Sequence, residues 1–299
     1  MSLISNESTI KRVYPKSSIS YNQLDRKQDH ILNTHNNIDP VTGEIFSMIE
    51  VYDGHGEDMC IRYIRSLNTT EIITNCPFAP EMALEQAIKK KIPFMPYGSG
   101  ATFSCVKIFD THIDCRSTGD SEIRVFINNK CVYKSPNHIW ANLDEQARIG
   151  HITQTIPCSK PLLLSPTKIT MVDSVYVKWN NCPEHLQLVP TQSLGHRNIT
   201  GMDPAVKRID FGLDDAIRII IGSDGFWDMI MPTEDDGILL TAITSEELSN
   251  LAEARWKQEW EFVEDVQFPE KIEKTSFDRY DDISVGLYTG AVAITTRQP

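Results

Sequence analysis

Asp53 closes the apolar run Ile49-Glu50-Val51-Tyr52 and is followed at once by Gly54, His55 and Gly56. A strand end is a rigid place to hold a carboxylate, and glycine lets the backbone turn closely enough for its carbonyl to face the same ion. The device recurs where residues 217–221 run into Gly222-Ser223-Asp224-Gly225-Phe226-Trp227-Asp228. Asp120, in Gly119-Asp120-Ser121, and Asp281, in the pair Asp281-Asp282, also stand beside strand-like runs, and Asp29 lies ahead of the first strong strand. A single Asp-Gly junction is ordinary turn chemistry. Several in one chain suggest a shared metal site. An all-oxygen cluster suits hard cations such as Mg²⁺ or Mn²⁺, whereas zinc would recruit more His or Cys. Two such ions about 3.5–4 Å apart can clamp a phosphoryl oxygen and hold an ionised water as nucleophile.

Several elements must position these groups. Residues 45–52 read as a strand, and Met59, Ile61, Tyr63, Ile64 and Leu67 have helical spacing after the turn. Residues 81–91 form a second helical pattern, with Pro80 near its start. Gly98-Ser99-Gly100-Ala101-Thr102 opens a β-rich block, in which 103–109, 112–117 and 123–127 predict an antiparallel meander. Residues 143–149 predict a short helix. The proline-rich stretch 150–205 reads as short strands, including 174–179, and loops bordering the site. Residues 245–263 read as one amphipathic helix with Leu248, Ala252, Trp256, Trp260 and Val263 on one side. Such a stripe is expected to pack on a sheet rather than to offer a partner surface. Residues 283–288 are the last strand.

The chain has 299 residues, 40% hydrophobic and 23% charged, which fits a folded globular protein. No repeat or linker divides it, so the expectation is one domain over 21–290, with a mobile or edge-lying lead-in at 1–20 and a tail at 291–299. A net charge of −12 argues against a nucleic-acid partner. The seven scattered cysteines lack any CxxC pair and read as free thiols in a reducing compartment. The first residues lack an apolar signal core, and no apolar run reaches the roughly 20 residues that cross a bilayer. An intracellular, cytoplasmic monomer without membrane contact is expected.

In this order, Val51-Tyr52-Asp53-Gly54-His55-Gly56, Gly98-Ser99-Gly100-Ala101-Thr102, Gly119-Asp120-Ser121, Ser223-Asp224-Gly225-Phe226-Trp227-Asp228 and Asp281-Asp282-Ile283-Ser284-Val285 resemble the motifs of the PP2C-type metal-dependent Ser/Thr protein phosphatases. Glu145-Gln146-Ala147-Arg148-Ile149 and Ser193-Leu194-Gly195-His196 are similar to two further family segments. The resemblance implies an α+β fold, a four-layer α/β/β/α sandwich with two central antiparallel sheets flanked by helices. It implies two Mg²⁺ or Mn²⁺ ions, with a third position. By that resemblance Asp53 would bridge both ions and the Gly54 carbonyl would bind one. Asp224 and Asp281 would hold the other, Asp29 would act through bound water, and Asp120 and Asp228 would belong to the third position. The implied reaction is hydrolysis of phosphoserine and phosphothreonine esters in phosphoprotein substrates by a metal-activated water, without a phosphoenzyme. His55 would be the acid that protonates the leaving alkoxide.

The sequence also departs from the family pattern. Leu24 stands where the family sets a phosphate-binding Arg, leaving Arg26, or Arg12 if the lead-in folds back, as the candidate for that task. His196 stands where the family often has Asp, and Asp282 where it often has Asn. A competing expectation is therefore a PP2C-like pseudophosphatase acting as a binding or regulatory protein. A two-metal nuclease is disfavoured by the acidic balance.

Overall fold

The computed structural model describes residues 11–12, 16–180, 182, 186–231, 236–263, 272–290 and 292–293. The side chain of Arg12 and most of the expected lead-in and tail lie outside the described residues.

Two antiparallel sheets form the centre. In the first, Ile45–Gly56 pairs with Asp29–Ile38 on one side and with Phe103–Ile108 on the other, followed by His112–Thr118 and Ala205–Asp210. The end of Ile45–Gly56 also pairs with Ser99–Ala101. In the second, the order is Lys16–Asn22, Ile283–Gly290, Ile217–Gly222, Glu122–Ile127 and Lys130–Lys134. Lys16–Asn22 thus lies along a sheet edge.

The sequence of Ile217–Gly222 explains the layering. Side chains alternate across a strand, so Ile219 and Ile221 pack between the sheets with Ile49, Val51, Val106 and Ile123. Ile220 points the opposite way, into a cluster with Leu248, Ala252, Trp256 and Leu287. On the far side, Met48 and Tyr52 meet Cys60, Ile61, Ile64, Leu84 and Ile88 from the helices Met59–Ile64 and Pro80–Lys91. Each fully buried Ile or Leu contributes about 1.5–3 kcal/mol. The expected four-layer sandwich is present.

The structure departs from the sequence reading in three places. The expected meander over 103–127 divides between the sheets: Phe103–Ile108 pairs with His112–Thr118 in the first, whereas Glu122–Ile127 crosses to the second and pairs with Ile217–Gly222. The expected helix over 245–263 ends at Lys257: Ser245–Lys257 is helical, and Trp260–Val263 is a strand. Thr244 caps the start by accepting from the Glu247 N–H, and Gln258 is already extended. Trp260, Phe262 and Val263 favour a pleated strand once partners are available. They pair in parallel with Lys168–Ile169 and antiparallel with Ile272–Thr275. The third difference lies in 150–205, where a long hairpin, Thr153–Leu163 with Lys168–Trp179, replaces the expected short strands.

None of the seven cysteines is in a disulfide, and four of them are buried. No described helix is long and apolar enough to cross a membrane.

Candidate metal centre

Strand register brings the acidic residues to one end of the sandwich. Asp29 and Asp53 stand opposite each other across the antiparallel pair of the first sheet. In the second sheet, Gly222 pairs with both Glu122 and Val285. Asp120, Asp224 and Asp281 therefore leave their strands at the same end.

The Asp53 backbone is clamped by Thr102. The Asp53 N–H donates to Thr102 Oγ1 at 3.1 Å, and the Thr102 N–H donates back to the Asp53 carbonyl at 2.8 Å. The Gly54 N–H donates to the Gln28 carbonyl at 3.1 Å. A Cβ at position 54 would stand 2.7 Å from that oxygen and 2.9 Å from Ile61 Cβ, so this approach requires glycine.

Asp224 opens the short helical turn Asp224–Trp227. Trp256 Nε1 donates to the Gly225 carbonyl at 2.7 Å, and Trp227 Nε1 donates to the Glu122 carbonyl at 3.1 Å. Trp256 from the helical stripe and Trp227 within the turn thus anchor the segment that carries Asp224. Asp282 has a separate task. Its carboxylate accepts the backbone N–H groups of Leu24 at 2.8 Å and Gln28 at 2.5 Å, so one side chain holds both ends of the segment carrying Arg26.

The electrostatics are those of a crowded anionic site. Asp29, Asp53 and Asp120 are buried, whereas Asp224, Asp228 and Asp281 are half-buried. Burial, then Asp224, Asp29, Asp281 and Asp120, raise the Asp53 carboxyl well above the usual range. Burial also raises Asp29, helped by Asp281, Asp282 and Asp224 and opposed by a hydrogen bond with Ser223. Asp120 is raised by burial and by Asp224. Asp281 is pushed up to about 8 by burial and Asp224, against Arg26. Asp228 reaches about 7 through burial and Asp224, against Lys160.

Among the described residues, two cations reach the cluster. Arg26 Nη1 lies 3.3 Å from Asp281 Oδ2, and Lys160 Nζ lies 3.9 Å from Asp228 Oδ1. Arg26 is held above its ordinary value, since Asp281, Asp224 and Asp53 outweigh the opposing effect of burial. Lys160 comes from the Thr153–Leu163 hairpin and borders a cleft of about 160 Å³ shared with Asp120, Asp224, Asp228, Tyr176 and Trp227. Nothing in the weakly patterned sequence around Lys160 marks it.

The donor set suits a hard cation. Asp29 Oδ2 is buried without a hydrogen-bond partner, as an oxygen that lacks its counter-charge would be. Among the described residues no three His, Cys, Asp or Glu side chains form a ready-made cage. The carboxylates hold one another's charge in check at longer range, an arrangement a cation would draw together.

His55 lies beside this cluster. Its Nε2 is 2.8 Å from Nε2 of His196, with the ring planes inclined by 27°. Burial and His196 hold the His55 ring well below its usual value, opposed by the Asp53 backbone. His55 is therefore neutral near pH 7 in the free protein. The sequence set His196 apart only as a departure from pattern; its contact with His55 emerges from the fold.

Solved structures of one architecture superpose on nearly all of this chain. Serine-threonine phosphatase 2C from Toxoplasma gondii matches with a TM-score of 0.58 at 14% identity, over 94% of this chain and 96% of that one. The chain has the PP2C phosphatase fold. A C. elegans sex determining protein matches equally well, with a TM-score of 0.58 at 16% identity, over 92% of this chain and 64% of that chain. The catalytic domain of the serine threonine protein phosphatase PstP, in complex with two manganese ions, matches with a TM-score of 0.50 at 14% identity, over 93% of this chain and 98% of that one. No protein-family model and no curated protein matches the sequence.

Proposed function

We propose that this chain is a metal-dependent protein serine/threonine phosphatase, acting as a cytoplasmic monomer on phosphoserine and phosphothreonine in protein partners. The observation that carries the reading is the convergence of carboxylates from both sheets at one end of a PP2C-type fold. Burying like charges together costs stability unless a cation compensates them, and a purely structural scaffold gains nothing from the expense.

Asp53, the Gly54 carbonyl, Asp224 and Asp281 would hold Mg²⁺ or Mn²⁺, with Asp29 behind them and Asp120 and Asp228 at a further position. Such ions supply positive charge against phosphoryl oxygens and lower the pKa of water. Arg26, on a segment fixed at both ends by Asp282, would orient the phosphate, which makes it the substitute for the arginine absent at Leu24. His55 would move the proton to the leaving alkoxide. It is neutral in the free protein, so the arriving phosphate charge must favour its protonated form.

A second reading, a pseudophosphatase that binds without turnover, is favoured by one observation. Leu24 packs partly buried against the apolar cluster containing Trp256, so position 24 serves the core rather than the phosphate. Mn²⁺-dependent release of phosphate from a phosphothreonine peptide separates the two. Turnover by the wild type that Asp53→Ala and Asp224→Ala abolish supports the enzyme. Wild-type rates equal to those of the variants at saturating Mn²⁺ support the binding protein.

A further inference from the structure

A hydrogen bond between the Nε2 atoms of His55 and His196 needs one donor and one acceptor. The far side of His196 decides which is which. Its Nδ1 meets the backbone carbonyl of Tyr97, which can only accept, so Nδ1 carries a hydrogen. His196 is fully buried, and burial lowers its pKa to about 4 against the pull of that carbonyl. A neutral ring protonated at Nδ1 has a bare Nε2. His55 must then present its own Nε2–H, whatever the charge of its ring.

The surrounding turn is built around this contact. His196, Arg197 and Asn198 have φ of 47°, 50° and 61°, a left-handed run that residues with side chains seldom adopt. Arg197 Nε donates to the Met95 carbonyl at 2.5 Å, and its guanidinium lies 4.4 Å over the Tyr97 ring. The Gly195 N–H donates to buried Glu85 Oε2 at 2.8 Å. Gly100 leaves room for the imidazole, since a Cβ there would overlap the His196 ring.

We propose that His196 is a positioning residue: its bare Nε2 accepts from His55 and fixes which His55 nitrogen carries the hydrogen and how that ring lies beside Asp53 and Gly54. The consequence for turnover rests on the phosphatase reading, whereas the hydrogen assignment does not.

Long-range ¹H–¹⁵N spectra of the full chain, labelled at histidine and recorded at pH 7.5, test the assignment directly. The expected result is Nδ1–H for His196 and Nε2–H for His55. H196F keeps a ring but removes the acceptor. It is expected to lose the fixed His55 signal and to lower kcat about tenfold or more, with KM and Mn²⁺ affinity within about twofold. H196Q places an amide oxygen near the same point and is expected to recover most of kcat. A wild-type His55 with bare Nε2 overturns the proposal, as does an H196F protein with unchanged His55 signal and kcat. If H196F does not fold, the wild-type spectrum still decides. The expected spectrum in a protein without Mn²⁺-dependent turnover upholds the assignment while the phosphatase reading fails.

Discussion

Asp29 and Asp53 face each other across neighbouring antiparallel strands, both buried, and one oxygen of Asp29 has no hydrogen-bond partner. Like charges opposed in this way destabilise a strand pair unless something positive intervenes. This pairing is a liability in the metal-free protein and, on the metal-dependent reading, would become an asset with a cation bound.

Asp53→Asn should therefore act in opposite directions in the two states. Without metal it should raise stability by about 1 kcal/mol, a Tm increase of roughly 2–4 °C, because one buried like charge is gone. With Mn²⁺ present, wild type should show a metal-induced rise in Tm that largely vanishes in the variant. Thermal melts in EDTA and in Mn²⁺ read both effects.

The pH dependence has a definite sign. Asp228 and Asp281 have folded pKa values raised to about 7 and about 8, above the ordinary 3.8. Between pH 4 and pH 8 the folded protein binds more protons than the unfolded chain, so this contribution is full below about pH 4 and is lost as pH rises through 8. Metal-free protein should resist urea better at pH 5.5 than at pH 8. Saturating Mn²⁺ should reduce or reverse the difference, since cation binding requires ionised carboxylates.

Arg26→Ala should raise KM for a phosphopeptide about tenfold or more while leaving Mn²⁺ affinity unchanged or slightly tighter, because the variant removes a phosphate contact and a competing cation together. Arg26→Lys should recover only part of the loss. Stability should change by less than about 0.5 kcal/mol, since the Arg26 side chain is 56% exposed. Steady-state kinetics and calorimetry check these outcomes.

Asp282→Ala should cost about 2–4 kcal/mol, as two backbone N–H groups lose a charged acceptor. Asp282→Asn keeps one accepting oxygen and should cost about half as much. Equilibrium denaturation gives the stabilities. Proteolysis between Leu24 and Gln28 should accelerate in the same order.

The sandwich and most of the acidic cluster were legible because apolar runs that stop at aspartate leave few alternatives. The strand Asp29–Ile38 was harder to read. It is rich in polar residues, pairs among the described residues with Ile45–Gly56 alone and carries an irregularity between Thr34 and Asn37. The hairpin was hidden by Pro157 and Pro161, which normally argue against a strand. Thr153–Leu163 lies at a sheet edge, where a missing N–H costs little. Trp260 fits a helical stripe and a strand equally well, and only the partners of its segment, Lys168–Ile169 and Ile272–Thr275, decide. The role of Asp282 rests on distant backbone donors, which no local spacing reveals.

Register across the second sheet also sets an order of events. Lys16–Asn22 pairs with Ile283–Gly290, so residues near opposite ends of the described chain must meet before that sheet is complete. The acidic cluster spans the same distance, from Asp29 to Asp281. Closing so large a loop is among the slower steps available to a chain. Cation affinity should consequently appear late during refolding, after the local hairpin of Phe103–Ile108 with His112–Thr118 has formed, making Mn²⁺ a probe for the last stage of assembly.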